Sequence, residues 1–167
     1  MPGIVEWPTV VQQAVEQFGS LFENDCQRRH FAEYVCGLII AERKSVAGIN
    51  REFAKSTDQS CLNRFLTEAP WDAEALNEAR IDWHQEDAST GFSDRGVIPI
   101  DNVLIDHYGE TIEDAGYFWD HVEERYKIAH DYLFANYVCT TGKHYPLYFR
   151  RFKKEEQCQA DDEEFIN

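Results

Sequence analysis

The chain has 167 residues, enough for one ordinary domain or for a small helical domain joined to part of another. Its apolar content of 43% excludes general disorder, and no apolar run approaches the roughly 20 residues that span a bilayer. The formal charge of -15, with arginine outnumbering lysine, points to a surface adapted to very high salt, where a Debye length of about 3 Å at ~1 M removes most long-range repulsion from a polyanion.

The opening MPGIVEWPTVV has no basic region leading into an apolar stretch, so a secretory signal is not expected and a cytoplasmic location is. Five cysteines (Cys26, Cys36, Cys61, Cys139, Cys158) are scattered without a CxxC pair or zinc-finger spacing, which favours reduced thiols acting as small hydrophobes.

The first half reads as helices. Thr9 is placed to cap a helix whose apolar face is Val10, Val11, Ala14, Val15 and Phe18, with Gly19 near its end. Asp25 is placed to cap a second, in which Phe31, Tyr34, Val35, Leu38 and Ile39 recur at helical spacing while Arg28, Arg29 and Glu33 fall on the other side. Two shorter pieces follow between Lys44 and Glu68, broken at Lys55-Ser56-Thr57-Asp58. The first carries Val46, Ile49 and Phe53, and the second carries Leu62, Phe65 and Leu66 behind a cap at Thr57 or Asp58. Pro70-Trp71-Asp72 announces another helix, capped by Asp72, with Leu76 and Ile81 on its apolar positions. His84 to Arg95 is polar and carries Ser-Thr-Gly and Ser-Asp-Arg-Gly, the signature of a linker.

After Gly96 the period shortens. Val97 to Ile105 reads as a strand with Pro99 near its entry, and His107-Tyr108-Gly109-Glu110 as a turn. Tyr126 to Cys139 is long and rich in aromatic and apolar residues. Thr140-Thr141-Gly142-Lys143 makes a hairpin turn, and His144 to Phe152 returns as a strand. Lys153 to Asn167 is mostly charged and begins as a short helix, with Asp161 to Glu164 as a solvated acidic run. Helices followed by at least three strands predict an α+β chain in two parts, 1–90 and 97–167.

Two places hold chemistry. The Lys44–Glu68 segment has the layout of a helix-turn-helix, with Gln59, Asn63 and Arg64 (beside Ser60 and Thr67) turned from the apolar face towards base edges. Lys44, Arg51 and Lys55 are placed for phosphates. A plain helical hairpin with a solvated polar face fits the same pattern. Asp101 stands in an apolar strand, where burying a lone carboxylate is costly. Either that strand has a solvated face, or it ends at the Asp-Asn dipeptide, or the carboxylate holds a metal ion. His121, His130 and His144 sit near acids at no metal-ligand spacing, and no phosphate loop or nucleophile elbow is present.

Pro99-Ile100-Asp101-Asn102-Val103-Leu104-Ile105-Asp106-His107-Tyr108-Gly109, then Gly116 to His121, resembles the start of the catalytic domain of DDE-superfamily insertion-sequence transposases. Tyr137-Val138, Gly142 to Leu147 and Phe149 to Glu155 continue the likeness. Upstream, Gln59 to Leu66 followed by Trp71-Asp72 is similar to the family's helical N-terminal region. The resemblance implies a ribonuclease-H-like fold with Asp101 as the first metal-binding acid, Mg²⁺ as cofactor and the DNA of insertion-element ends as partner. Asn102 departs from the second acid often found there. In such enzymes two divalent ions about 3.5–4 Å apart need several carboxylates. The family supplies the second and third acids beyond the third strand, so this chain is expected to be an incomplete, catalytically inactive front portion, or a DNA-binding regulator or competitor of a complete enzyme. No membrane partner is expected. Self-association is, because an unclosed sheet exposes apolar surface and strand edges.

Overall fold

A computed structural model describes residues 3–55, 58–108, 112–153, 155 and 158. Among the described residues, the named elements are five α-helices and then five strands in chain order, so the protein is α+β. The chain divides into two compact units, Met1–Asp82 and Trp83–Asn167. Among the described residues, no helix is long and apolar enough to cross a membrane.

In the first unit, α1 (Thr9–Phe18) starts directly after Pro8. Pro8 itself is the N-cap, so Thr9 is the first helical residue rather than the cap its hydroxyl suggests; a proline's fixed φ already suits a helix entry. Similarly, α2 (Asp25–Ile40) is capped by Asn24, whose Oδ1 accepts from the Gln27 N–H at 3.0 Å. Asp25 sits in the first turn instead, where its charge favours the positive end of the helix dipole. The α2 stripe is also rotated from the expected one. Leu38 and Ile39 are exposed, whereas Glu33 is buried with Phe31, Cys36 and Gly37. The cause is a polar network that makes burial of the acid tolerable: Glu33 Oε1 accepts from Arg29 Nε at 3.0 Å and Oε2 meets His30 Nδ1 at 2.7 Å.

Helix α3 (Val46–Asn50) is short and capped by Ser45, and its Ile49 packs so closely on α2 that a Cβ at Gly37 would collide with the Ile49 side chain. Helix α4 (Gln59–Thr67) is capped by Asp58, which accepts from the Ser60 N–H, and buries Leu62 and Phe65 as the spacing requires. Ser56 and Thr57, in the expected break, lie outside the described residues. Phe22, Phe31, Phe65 and Trp71 form a chain of rings with centroids 4.9 to 5.9 Å apart. Each such pair contributes about 0.5–1.5 kcal/mol beyond area burial. A second cluster joins Val11, Ala32 and Cys36 to Trp7, Val15 and Phe53. Asp72 does cap α5 (Ala73–Glu86), accepting from the Glu74 and Ala75 N–H groups.

The second unit is one antiparallel sheet: β1 (Gly96–Val97), β2 (Ile100–Asp106), β3 (Gly116–Asp120), β4 (Arg125–Cys139) and β5 (His144–Arg151). Every other strand pairs with β4. Ala129 is opposite both Asp106 and Gly116, and Val138 opposite both Val97 and His144, so β1 and β2 line one edge of β4 while β5 and β3 line the other. The expected strand from Val97 to Ile105 is thus two pieces, parted at Pro99, which has no N–H for the ladder and whose carbonyl accepts from Asn136. The Thr140–Lys143 turn joins β4 to β5 with Gly142 at φ +86°, a conformation that favours glycine. Strand β3 is an addition that periodicity did not show. Its Phe118 and Asp120 face one side and Tyr117 and Trp119 the other, so apolar residues occupy both faces and blur the alternation.

The polar stretch from His84 to Arg95 is not a free connector. His84 belongs to α5 and stacks on Tyr145 at 4.6 Å. Lys143 Nζ donates to the carbonyls of Ala88 and Gly91, Tyr145 donates to that of Thr90, and the Ser93 N–H donates to the Tyr137 hydroxyl. Serines and aspartates are common in linkers because their side chains satisfy nearby backbone groups, and glycines because they adopt turn conformations; here the hairpin supplies further partners.

Candidate functional site

Strand side chains alternate between faces, and directly opposed residues share one. Asp101 therefore lies on a face with Val103 and Ile105 and, across β4, with Phe134, Tyr132 and His130. Asp101 is exposed, and its Oδ1 accepts from the Asn102 N–H at 2.9 Å. The face of this strand that carries the carboxylate is thus open to solvent at Asp101. The nearest strand acid across the ladder, Asp131, is opposite Leu104 and so on the reverse face, where Asn102 Nδ2 donates to both of its oxygens at 3.3 and 3.4 Å. Asn102 consequently serves as a neutral donor to an acid, a role a second aspartate could not fill without like-charge repulsion.

Further along the Asp101 face, His107 Nε2 meets His130 Nδ1 at 2.8 Å, and His130 Nε2 meets the Glu113 carbonyl at 2.8 Å. Since the carbonyl can only accept, His130 donates there and one proton is shared between the two rings. This pair ties the 112–115 segment to β4. Along the strand His107 stands six residues, about 20 Å, beyond Asp101, and His130, opposite Ile105, four residues or about 13 Å, too far for the pair to share an ion with it. On the reverse face Lys127 is the centre of charge. Its Nζ lies 2.8 Å from Asp120, 2.5 Å from Glu123 and 3.1 Å from Asp106. Hydrogen bonding from Lys127, then from the Glu123 and Val122 backbone, holds the Asp120 carboxyl down at about 2, while Asp120 and Glu123 raise the Lys127 ammonium. These three acids are already engaged by a cation.

Sequence reasoning did not single out Asp131, the His107–His130 pair or Lys127. The period-2 spacing within β4 puts Lys127 with Asp131 and His130 with Tyr132, but only the register against β2 tells which set accompanies Asp101.

In the first unit Lys44, Arg51, Lys55, Gln59, Asn63 and Arg64 are all exposed. Gln59, Asn63 and Arg64 share α4, whose buried side is Leu62 and Phe65, so the polar face stands free as expected. Lys44 precedes α3 and Arg51 caps its C-terminus. The Lys55 carbonyl accepts from Arg29 Nη2, which fixes that residue's backbone against α2.

The second unit thus carries an exposed strand aspartate, Asp101, and the first unit carries a polar, partly basic face on α4. The sequence profile described as DDE superfamily endonuclease matches residues 17–164, nearly the whole chain, and the protein belongs to that family. No curated protein and no solved structure matches the chain significantly. Members of the superfamily generally use divalent metal ions. The described residues do not by themselves fit such a site. Asp101 offers one carboxylate, Asp131 faces the other way, and among the described residues no group of three His, Cys, Asp or Glu could hold a metal ion.

Proposed function

We propose that this chain is a transposase-like protein of DNA transposition in which the helical unit contacts the DNA of insertion-element ends and Asp101 is the first metal-binding acid. The family match over residues 17–164 carries this reading. It is supported by the solvated position of Asp101 on β2 and by the free polar face of α4. Hard cations such as Mg²⁺ take several oxygen ligands, and one carboxylate binds them only weakly. The chain alone is therefore read as catalytically inactive, and DNA recognition, regulation of a complete enzyme or competition with it is the activity left to it. Self-association through the exposed sheet belongs to the same reading, since Val103, Ile105, Tyr117 and Phe149 of the Asp101 face are all exposed.

Two assays test the proposal. In a gel shift at ~1 M salt, where electrostatic repulsion is short-ranged, element-end DNA is expected to bind better than random DNA, and joint replacement of Arg51, Lys55 and Arg64 to remove the shift. Equal affinity for both DNAs sinks the recognition claim. With Mg²⁺ or Mn²⁺ the chain is expected not to nick DNA, and nicking that disappears in Asp101→Ala overturns the inactivity.

A further inference from the structure

Every second residue of β4 from Tyr126 to Phe134 points to the face that carries Asp101, and the opposed residues of β2, β3 and β5 join them there. That face is largely aromatic. Tyr117, Trp119, Tyr126 and Phe149 are 42–67% exposed on it, and Val103 and Ile105 are nearly half exposed. With about 150–250 Å² for a whole aromatic side chain, these six leave roughly 600 Å² of mostly apolar surface uncovered. The largest patch on an ordinary monomer is about 300–600 Å², and a stable complex buries about 800 Å² on each partner. The patch thus has the size of an interface centre, to which a polar rim adds the remainder. Its rings are also held in place. Trp119 packs edge-on against Tyr126 at 5.1 Å, and Phe149 stacks on Phe134 at 5.7 Å, so little side-chain freedom is left to lose on association.

Charge selects the occupant. The strand residues of this face include one acid, Asp101, and one base, Arg151, which cancel on a chain whose formal charge is -15. Arg151 is already paired with Asp114, so the face offers a polyanion no cation of its own. Two copies of so acidic a chain repel wherever their charged surfaces meet, and this face is where they approach without opposing net charge. A two-fold pairing sets the same patch on both sides of the contact, so each apolar surface meets its equal. We propose that the Asp101 face is the contact between two copies of this chain, stacked sheet on sheet. Packed sheets lie about 10 Å apart with their side chains interdigitated, an arrangement that rows of alternating aromatic and aliphatic residues fill well. Asp101 lies on β2, which among the described residues pairs with β4 alone, so the carboxylate stays at the wet rim. This deepens the self-association read above and does not depend on DNA recognition.

Sedimentation equilibrium of the full chain in ~2 M potassium chloride, from ~1 to ~100 µM, tests the contact, and a dimer is expected at the upper end. Phe149→Lys and Tyr117→Lys, each at an exposed position of the patch, should weaken the dimer at least about tenfold. Tyr148→Lys is the matched control. Tyr148 is 54% exposed and adjoins Phe149, but it is opposite Ala135 and so on the reverse face. The control adds the same charge and should leave the dimer constant unchanged. Near-UV circular dichroism in the same buffer checks each fold, and Tyr117→Lys carries the test if Phe149→Lys does not fold. A chain that stays monomeric at ~100 µM overturns the proposal, whether its face is open or covered by another segment of the same chain. A dimer that Tyr148→Lys weakens as much as the two patch variants overturns it too. Element-end DNA bound by a monomeric chain leaves the DNA reading standing without the interface, and a dimer that binds no DNA does the reverse.

Discussion

At the scale of single residues, the charged groups that matter to the fold are the ones fully engaged. Glu33 is the clearest. A buried carboxylate between Arg29 and His30 is tolerable only while both partners remain, since removal of one member leaves an uncompensated polar group in a dry place. Glu33→Ala is expected to cost about 3–5 kcal/mol in chemical denaturation, against near-zero change for Asp101→Ala, whose carboxylate is solvated. Lys127 and Asp120 set an acid limit on the sheet. The Asp120 value in the folded state, about 2, lies below the ~3.9 of an unfolded aspartate. Its contribution is therefore complete above about pH 4 and is lost as pH falls through about 2. The raised Lys127 value acts in the other direction, its contribution being complete at neutral pH and lost only in strong alkali. Near-UV circular dichroism should accordingly show a tertiary transition between about pH 4 and pH 2. Lys127→Met should reduce its steepness, and an unchanged profile would show that the three-acid cluster does not govern acid unfolding.

At the scale of elements, the packing of α2 on α3 depends on a residue without a side chain. Alanine is the better helix former by about 1 kcal/mol, so propensity alone favours Gly37→Ala. A Cβ at position 37, however, would fall within 3 Å of three atoms of Ile49, a fully buried residue whose helix would have to shift. Overpacking of this kind costs about 1–3 kcal/mol, and the net expectation is destabilisation by about 1 kcal/mol, measured as a lower denaturant midpoint at constant m-value. Partial recovery in the double variant with Ile49→Val would identify the contact as the cause. Element boundaries show the same dependence on neighbours. The cap at Asp72 was legible, and that at Asp58 as one of two candidates with Thr57, because their side chains reach the first free N–H groups, whereas Thr9 and Asp25 were displaced by one residue by Pro8 and Asn24. The His84–Arg95 segment could not be read correctly because its partners, Tyr137, Lys143 and Tyr145, come more than forty residues later.

At the scale of the whole molecule, charge dominates. A formal charge of -15 on 167 residues repels itself at low ionic strength and is screened over about 3 Å at ~1 M salt, against about 10 Å at 0.1 M. The melting temperature is expected to climb steeply between 0.1 M and ~2 M potassium chloride, and scanning calorimetry across that series checks it. A melting temperature independent of salt would remove the case for adaptation to a saline environment. The same screening governs DNA binding, because a strongly acidic protein approaches a polyanion only when long-range repulsion is suppressed.

What the sequence determined by itself was the class: helices then strands, the identity of most elements, the exposed polar face of α4 and, through residue order, the DDE relationship that the match over residues 17–164 establishes. These follow from local periodicity, capping and motif order, which need no knowledge of distant neighbours. What only the tertiary structure decided was the environment of each charge. The register of β2 on β4 separates Asp101 from Asp131, folding buries Glu33 on α2, and the convergence of β2, β3 and β4 draws three acids onto Lys127. A carboxylate's chemistry depends on its solvation and on the charges within a few ångströms, and those are set by residues far away in the chain.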